Sequence, residues 1–200
     1  MSSPLAPAIA GLASADPSER SAAANAIYRE GCNSATAAVS TWWKDAELSG
    51  LLLGPSPVVT VGLAVERATF GRIRVANGTP RLAEVPAEQD AEEFELHFPD
   101  GALLDVLTTR EPGGSGAIAR FLAKLGEGVQ QVEFRCQNVD RATEILKEKF
   151  DLKPVYPATR PGADGTRVNF FLATTHAGGK VLIELYEVPV APQAPTTAAR

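Results

Sequence analysis

The sequence predicts an α+β protein: two βαβββ modules side by side, forming one curved mixed sheet with a cleft, preceded by an N-terminal helical extension. Three observations predict it. The texture changes at Gly54-Pro55-Ser56-Pro57, from helical periodicity before the linker to short strands after it. The segment after the linker repeats itself, as a strand, a helical or loop piece and three strands, twice over roughly 60 residues each. Each strand alternates between an apolar face and a face of small, aromatic or polar residues.

The extension covers residues 1–54. Asp16-Pro17-Ser18-Glu19 is a helix start, with Asp as N-cap, Pro at the first helical position and Glu at the third. Ala22, Ala23, Ile27 and Tyr28 follow as an apolar stripe, and Gly31 is expected to stop the helix. A second cap at Asn33-Ser34 opens a helix carrying Ala38, Trp42, Leu48 and Leu51. Such a pair of helices either covers the sheet or forms a small interaction module.

The main domain is 58–188, with modules at 58–110 and 128–188. VVTVGLAVE (58–66) is the first strand, and RATFGRIRVANG is a helical or loop piece. RLAEVP, EEFELHF and ALLDVLTTR complete the first module, separated by Pro, Asp and Gly turn signals. GSGAIARFLAKLGEG holds a connecting helix. VQQVEFRCQ opens the second module, followed by the helix VDRATEILKEKFDL and the strands KPVYPATR, RVNFFLATT and KVLIELYEV. The tail 189–200 is expected to be disordered.

Alternation assigns the faces. Val61, Leu63 and Val65 oppose Thr60, Gly62 and Ala64. Phe94, Leu96 and Phe98 oppose Glu93, Glu95 and His97. Leu104 and Val106 oppose Leu103, Asp105 and Leu107. Val132, Phe134 and Cys136 oppose Gln131, Glu133 and Arg135. Val168, Phe170 and Leu172 oppose Arg167, Asn169 and Phe171. Val181, Ile183 and Leu185 oppose Leu182, Glu184 and Tyr186. The apolar faces take the helices. The second faces are either solvated or line a ligand cleft.

Composition narrows the function. The chain has 200 residues, 44% hydrophobic and 22% charged, with a net charge of −5. No basic run suits nucleic acid, and no apolar stretch approaches the roughly 20 residues of a membrane helix. The N-terminus lacks the basic start of a secretory signal. The two cysteines, Cys32 and Cys136, read as free thiols in a reducing cytoplasm. With only His97 and His176, a His-rich zinc site is excluded.

From GAIARFLAKLGEGVQQVEF through NVDRATEILKEKFDLKPVYPATRPGADGTRVNFFL to GGKVLIELYE, the chain resembles the methylmalonyl-CoA epimerases of the vicinal-oxygen-chelate (glyoxalase/bleomycin-resistance) superfamily. VGLAVE of the first strand fits the same pattern, and residues 1–53 lie outside it. The resemblance implies the paired βαβββ fold, with a metal in the cleft. It places the four metal ligands at Thr60, Asp105, Gln131 and Glu184, where two of them would be histidines in the family. This set is all oxygen and suits at most weak binding of a hard divalent ion, so no cofactor is expected. The resemblance also implies a proton-transfer pair of carboxylates, Glu184 and a second one at or near Glu95. Without metal, a developing enolate oxygen would fall to Gln131, Arg135, His97 or Asn169. The family's His-Pro-Lys after the seventh strand is Ala173-Thr174-Thr175 here.

The expected function is therefore a divergent isomerase or lyase of this superfamily with a degenerate metal site, moving a proton next to a carbonyl or thioester. The alternatives are a non-catalytic small-molecule-binding protein, or an interaction module acting through the N-terminal helices. The expected partners are a small molecule in the cleft and, by the superfamily's habit of pairing modules between chains, a second copy in a homodimer.

Overall fold

The computed structural model describes residues 4–54, 57–175 and 178–189. Pro55-Ser56 of the linker, His176 and all of the expected disordered tail except Pro189 lie outside them. The elements are α1 (Ala6–Gly11), α2 (Pro17–Val39), α3 (Ala46–Leu51), β1 (Val59–Ala64), α4 (Arg67–Ala76), β2 (Ala91–His97), β3 (Leu103–Thr109), α5 (Ala117–Leu125), β4 (Gly128–Arg135), α6 (Val139–Phe150), β5 (Arg160–Pro161), β6 (Arg167–Thr174) and β7 (Lys180–Glu187).

The strands form one seven-stranded mixed sheet in the order β2-β3-β1-β4-β7-β6-β5. The two modules meet at the antiparallel β1–β4 pair, and each contributes a parallel pair beside it, β1–β3 and β4–β7. Two expected strands are absent or shortened. RLAEVP is irregular, though the Ala83 amide donates to the Glu93 carbonyl at 3.0 Å. KPVYPATR is reduced to a bridge at Pro154 and the two residues of β5. Pro86, Pro154 and Pro157 each remove a ladder donor from these segments, and Pro80 and Pro161 flank them.

The helices cover the convex face. α2 is capped as expected, with the Ser18 amide donating to Asp16 Oδ1 at 2.8 Å. It does not stop at Gly31 but runs unbroken to Val39. Gly31 serves packing instead, because a Cβ there would lie 2.6 Å from both γ-carbons of Val61. The helix therefore touches β1 directly, and nothing opens at Asn33-Ser34. Asp45 provides the next cap, accepting from the Leu48 amide at 2.9 Å.

α2 spans both modules. Its first half, with Ile9 and Leu12 of the preceding turns, packs Ala24 and Ile27 into a cluster with Val61, Leu63, Phe94 and Leu104. Its second half leads Ala35, Val39, Trp42, Leu48 and Leu52 into the cluster of Val132, Phe134, Ile183 and Leu185. α6 covers the second module beside it. α5 sits at the other side, where Ile118 and Leu122 pack on Ala64 and Leu107 and block one end of the concave face. No described helix is long and apolar enough to cross a membrane.

Gly31→Ala is expected to destabilise the protein. The overpacking cost of about 1–3 kcal/mol outweighs the gain in helix propensity of about 0.5–1 kcal/mol. Urea denaturation should show a lower midpoint with an unchanged slope.

Candidate functional site

The concave face carries the site, and the sheet register builds it with an internal two-fold relation. In the β1–β4 pair Thr60 lies opposite Glu133 and Gly62 opposite Gln131. In the parallel pairs Gly62 lies beside Asp105 and Glu133 beside Glu184. Exchanging the modules therefore exchanges Thr60 with Gln131 and Asp105 with Glu184. β2 adds Glu93, Glu95 and His97 opposite Leu107, Asp105 and Leu103.

Of these, Glu93, Glu95, His97, Asp105, Leu107, Gln131, Glu133 and Glu184 line a cavity of about 700 Å³. At its floor the Gln131 amide Nε2 donates to Glu184 Oε2 at 2.7 Å and to Glu133 Oε1 at 3.0 Å. Gly62 makes room for this arrangement, since a Cβ there would lie 2.5 Å from Gln131 Cγ and 3.1 Å from Glu133 Oε1. Thr60 is buried beside them, opposite Glu133. Asp105 is only 6% exposed, and its Oδ1 has no hydrogen-bond partner. At the mouth, Arg81 of the first module holds Asp164 of the second through two N–H···O contacts of 2.9 and 2.6 Å. Arg160 stacks over Tyr156 at 4.5 Å.

Burial and mutual repulsion raise the proton affinity of the floor. Desolvation, followed by the charges of Glu133, Asp164 and Glu95, pushes Glu93 up to about 8. Desolvation pushes Glu133 up to about 7, against the Gln131 hydrogen bond, which lowers it. Asp105 and Glu184 are raised well above the ordinary carboxyl range, first by burial and then by their acidic neighbours. Tyr186 is pushed up to about 12 by burial and by Glu133.

These shifts fix a pH dependence. The native state holds protons that the unfolded chain would release near the ordinary value of 4.5. The associated stability is complete below that value and is lost as pH rises through about 7 to 8. The melting temperature should therefore fall by several degrees between pH 5.5 and pH 8.5, as read by calorimetry.

The expected site residues separate into three groups. Thr60, Asp105, Gln131 and Glu184 come together at the floor. Glu95 and His97 stand at the mouth, their side chains both 66% exposed and paired at 2.9 Å. Arg135 is exposed at the end of β4, outside the cavity lining. Asn169 does not enter the cleft. It is fully buried on the opposite face of β6, where its Oδ1 accepts from the Phe170 amide at 2.9 Å. The assignment of β6 is thus reversed: Phe171 and Ala173 enter the convex core, while Val168 and Phe170 line the cleft. Glu93 and Glu133 join the floor although sequence reasoning gave them no role. Their face was predicted by alternation, but which acid of EEFELHF reaches the interior depends on how the sheet curls.

The donor set does not fit a transition metal. No imidazole reaches the floor from the described residues, and no three of their acidic, imidazole or thiol groups are placed to hold one ion. Gln131 turns its N–H groups toward two carboxyls, and Thr60 offers only a neutral hydroxyl. Neither presents the free, strong donor atom that such an ion needs.

No protein-family model matches the chain, and no curated protein matches it. Solved structures do. The methylmalonyl-CoA epimerase from Mycobacterium tuberculosis is similar at 30% identity with a TM-score of 0.53, over 66% of this chain and 87% of that one. A variant of the Streptomyces coelicolor methylmalonyl-CoA epimerase, in complex with 2-nitronate-propionyl-CoA, is similar at 25% identity and a TM-score of 0.53, over 68% of this chain and 99% of that one. A hypothetical protein from Bacillus halodurans shares the fold at 21% identity and a TM-score of 0.54, over 68% and 96% of the two chains.

Proposed function

We infer that this chain, a member of the vicinal-oxygen-chelate superfamily by its fold and its 30% identity to one epimerase, moves a proton at the carbon beside a carbonyl or thioester. The observation that supports this best is the placement of two shielded carboxyls from different modules, Glu93 and Glu184, on one cleft with raised proton affinities. A general base and acid work best when their pKa lies near the operating pH, and a value of about 8 for Glu93 meets that condition.

In this reading one carboxylate takes the proton from the α-carbon and leaves an enolate. The other, protonated, returns a proton to the opposite face, and the next turnover runs in reverse. Gln131 positions Glu184 through the 2.7 Å hydrogen bond. The partner of Glu184 is Glu93 rather than Glu95, because Glu95 is exposed at the mouth and bound to His97. No step runs through a metal, since the floor does not suit one.

One observation favours a second reading, binding without turnover. Gln131 already donates to two carboxyls, which leaves the floor short of a free N–H for an enolate oxygen. One experiment separates the readings. 2-Methyl-acyl and 2-carboxy-acyl thioesters, with simpler 2-substituted carbonyl acids, are incubated with the protein in D₂O and followed by NMR. Exchange of the α-proton in the wild type, lost in Glu93→Gln, supports proton transfer. Binding without exchange supports the second reading.

A further inference from the structure

We propose that the cleft floor receives a primary ammonium group, so that the ligand of this site is a small amino-carbonyl compound with its cation against Asp105. The proposal rests on the reading of the cleft as a proton-transfer site and names the class of substrate.

The floor is short of positive charge and of hydrogen-bond donors. Glu93, Asp105, Glu133 and Glu184 surround it, and the charges of Glu93, Glu133 and Glu184 all act on Asp105. Among the described residues, the side-chain donor that reaches these carboxyls is the Gln131 amide, and it goes to Glu133 and Glu184 alone. Arg110 faces Glu93 electrostatically, but its own hydrogen bond goes to the Val85 carbonyl at 3.3 Å. Asp105 is 6% exposed with Oδ1 unpartnered, and it lines the cavity. A buried acceptor left without a donor costs free energy, so this oxygen is a ready site for an incoming N–H.

The geometry separates an ammonium from a metal ion. A metal requires its ligands to converge at roughly 2.0–2.2 Å, whereas an N⁺–H···O⁻ contact spans about 2.7–2.9 Å and is made one acceptor at a time. The four carboxyls do not converge as a metal site. A primary ammonium offers three donors in a compact head, which suits several acceptors spread around a floor. The positive charge that the family draws from a metal would here arrive with the ligand. An ammonium next to the reacting carbon also acidifies its C–H bond, the property that the proposed proton transfer needs.

The test uses the full chain and simple probes. Calorimetric titration and thermal shift are run at pH 7.5 and fixed ionic strength with methylammonium chloride, ammonium chloride, potassium chloride, tetramethylammonium chloride and manganese chloride. Methylammonium and ammonium are expected to bind in the millimolar range and raise the melting temperature. Potassium, tetramethylammonium and manganese are expected to leave it unchanged. Asp105→Asn should weaken methylammonium binding at least tenfold, and the selectivity series stands on the wild type even if that variant folds poorly. No response to methylammonium, an equal response to potassium, a stronger response to manganese, or an unchanged affinity in a folded Asp105→Asn protein would each overturn the proposal. Loss of the ammonium response with α-proton exchange of thioesters intact would remove the substrate class and leave the proposed reaction standing.

Discussion

Removing residues 1–53 is expected to leave a chain that does not fold. The helices of this segment contribute buried residues to both clusters of the convex core. Ile9, Leu12, Ile27, Trp42, Leu48 and Leu52 are each at most 2% exposed. Trp42 packs on Phe134 with ring centroids 6.2 Å apart, and α2 lies against both modules. Burying a large apolar side chain contributes roughly 1.5–3 kcal/mol, so these six account for on the order of 10 kcal/mol. That figure is an upper one, because the unfolded chain already buries part of this surface. It still compares with the whole net stability of a domain, about 5–15 kcal/mol. Ion pairs from Arg141 to Glu47 and from Lys149 to Asp45 add little, because their cations remain partly exposed to solvent. The fragment beginning at Gly54 should therefore show no cooperative thermal transition by circular dichroism. A cooperative transition at the melting temperature of the full chain would make the helices a separate module.

Glu184→Gln is expected to lose function and gain stability. If Glu184 carries a proton to or from substrate, α-proton exchange should fall by about 10²–10⁴, the usual contribution of a general acid or base. The same change removes a half-buried acid whose proton affinity is raised by desolvation and by Glu133 and Glu93. Such an acid costs native stability when the pH would ionise it, and the amide does not ionise. The variant should therefore melt above the wild type at pH 8, and the difference should shrink at pH 5, where the wild-type carboxyl is protonated. The amide oxygen can still accept from Gln131, so the floor keeps its connection. A glutamate with a purely structural role would give the opposite pair of results: intact exchange and a lower melting temperature at both pH values.

Much of the sheet was legible because alternation carries phase wherever one face is plainly apolar. Val181-Leu182-Ile183-Glu184 could be placed only one way, and so could Phe94-Glu95-Leu96. In β6, Val168, Phe170, Phe171 and Leu172 put apolar groups on both faces, so the pattern had no phase to give, and Asn169 was placed on the wrong side. Gly31 was misread for a related reason. Local preference makes glycine a helix stop, but the close approach of Val61 makes it a contact, and that approach exists only after α2 lies on β1. The grouping of Gln131, Glu184, Asp105 and Thr60 on one face was legible through matching positions in a resembling family. It was not legible at Glu93 and Glu133. Glu93 and Glu95 share a face two residues apart, and only the curl of the sheet decides that one is shielded and the other is 66% exposed.

The proposed proton transfer by Glu93 and Glu184 in this cleft needs no transition metal. It is tested most directly by following α-proton exchange in D₂O with the best thioester or carbonyl substrate, before and after exhaustive treatment with a chelator. The rate is expected to be unchanged after chelation, with no gain on adding cobalt or manganese and a loss of at least about 10² in Glu93→Gln. Exchange that disappears with chelation and returns with cobalt, at a rate indifferent to Glu93, would contradict it.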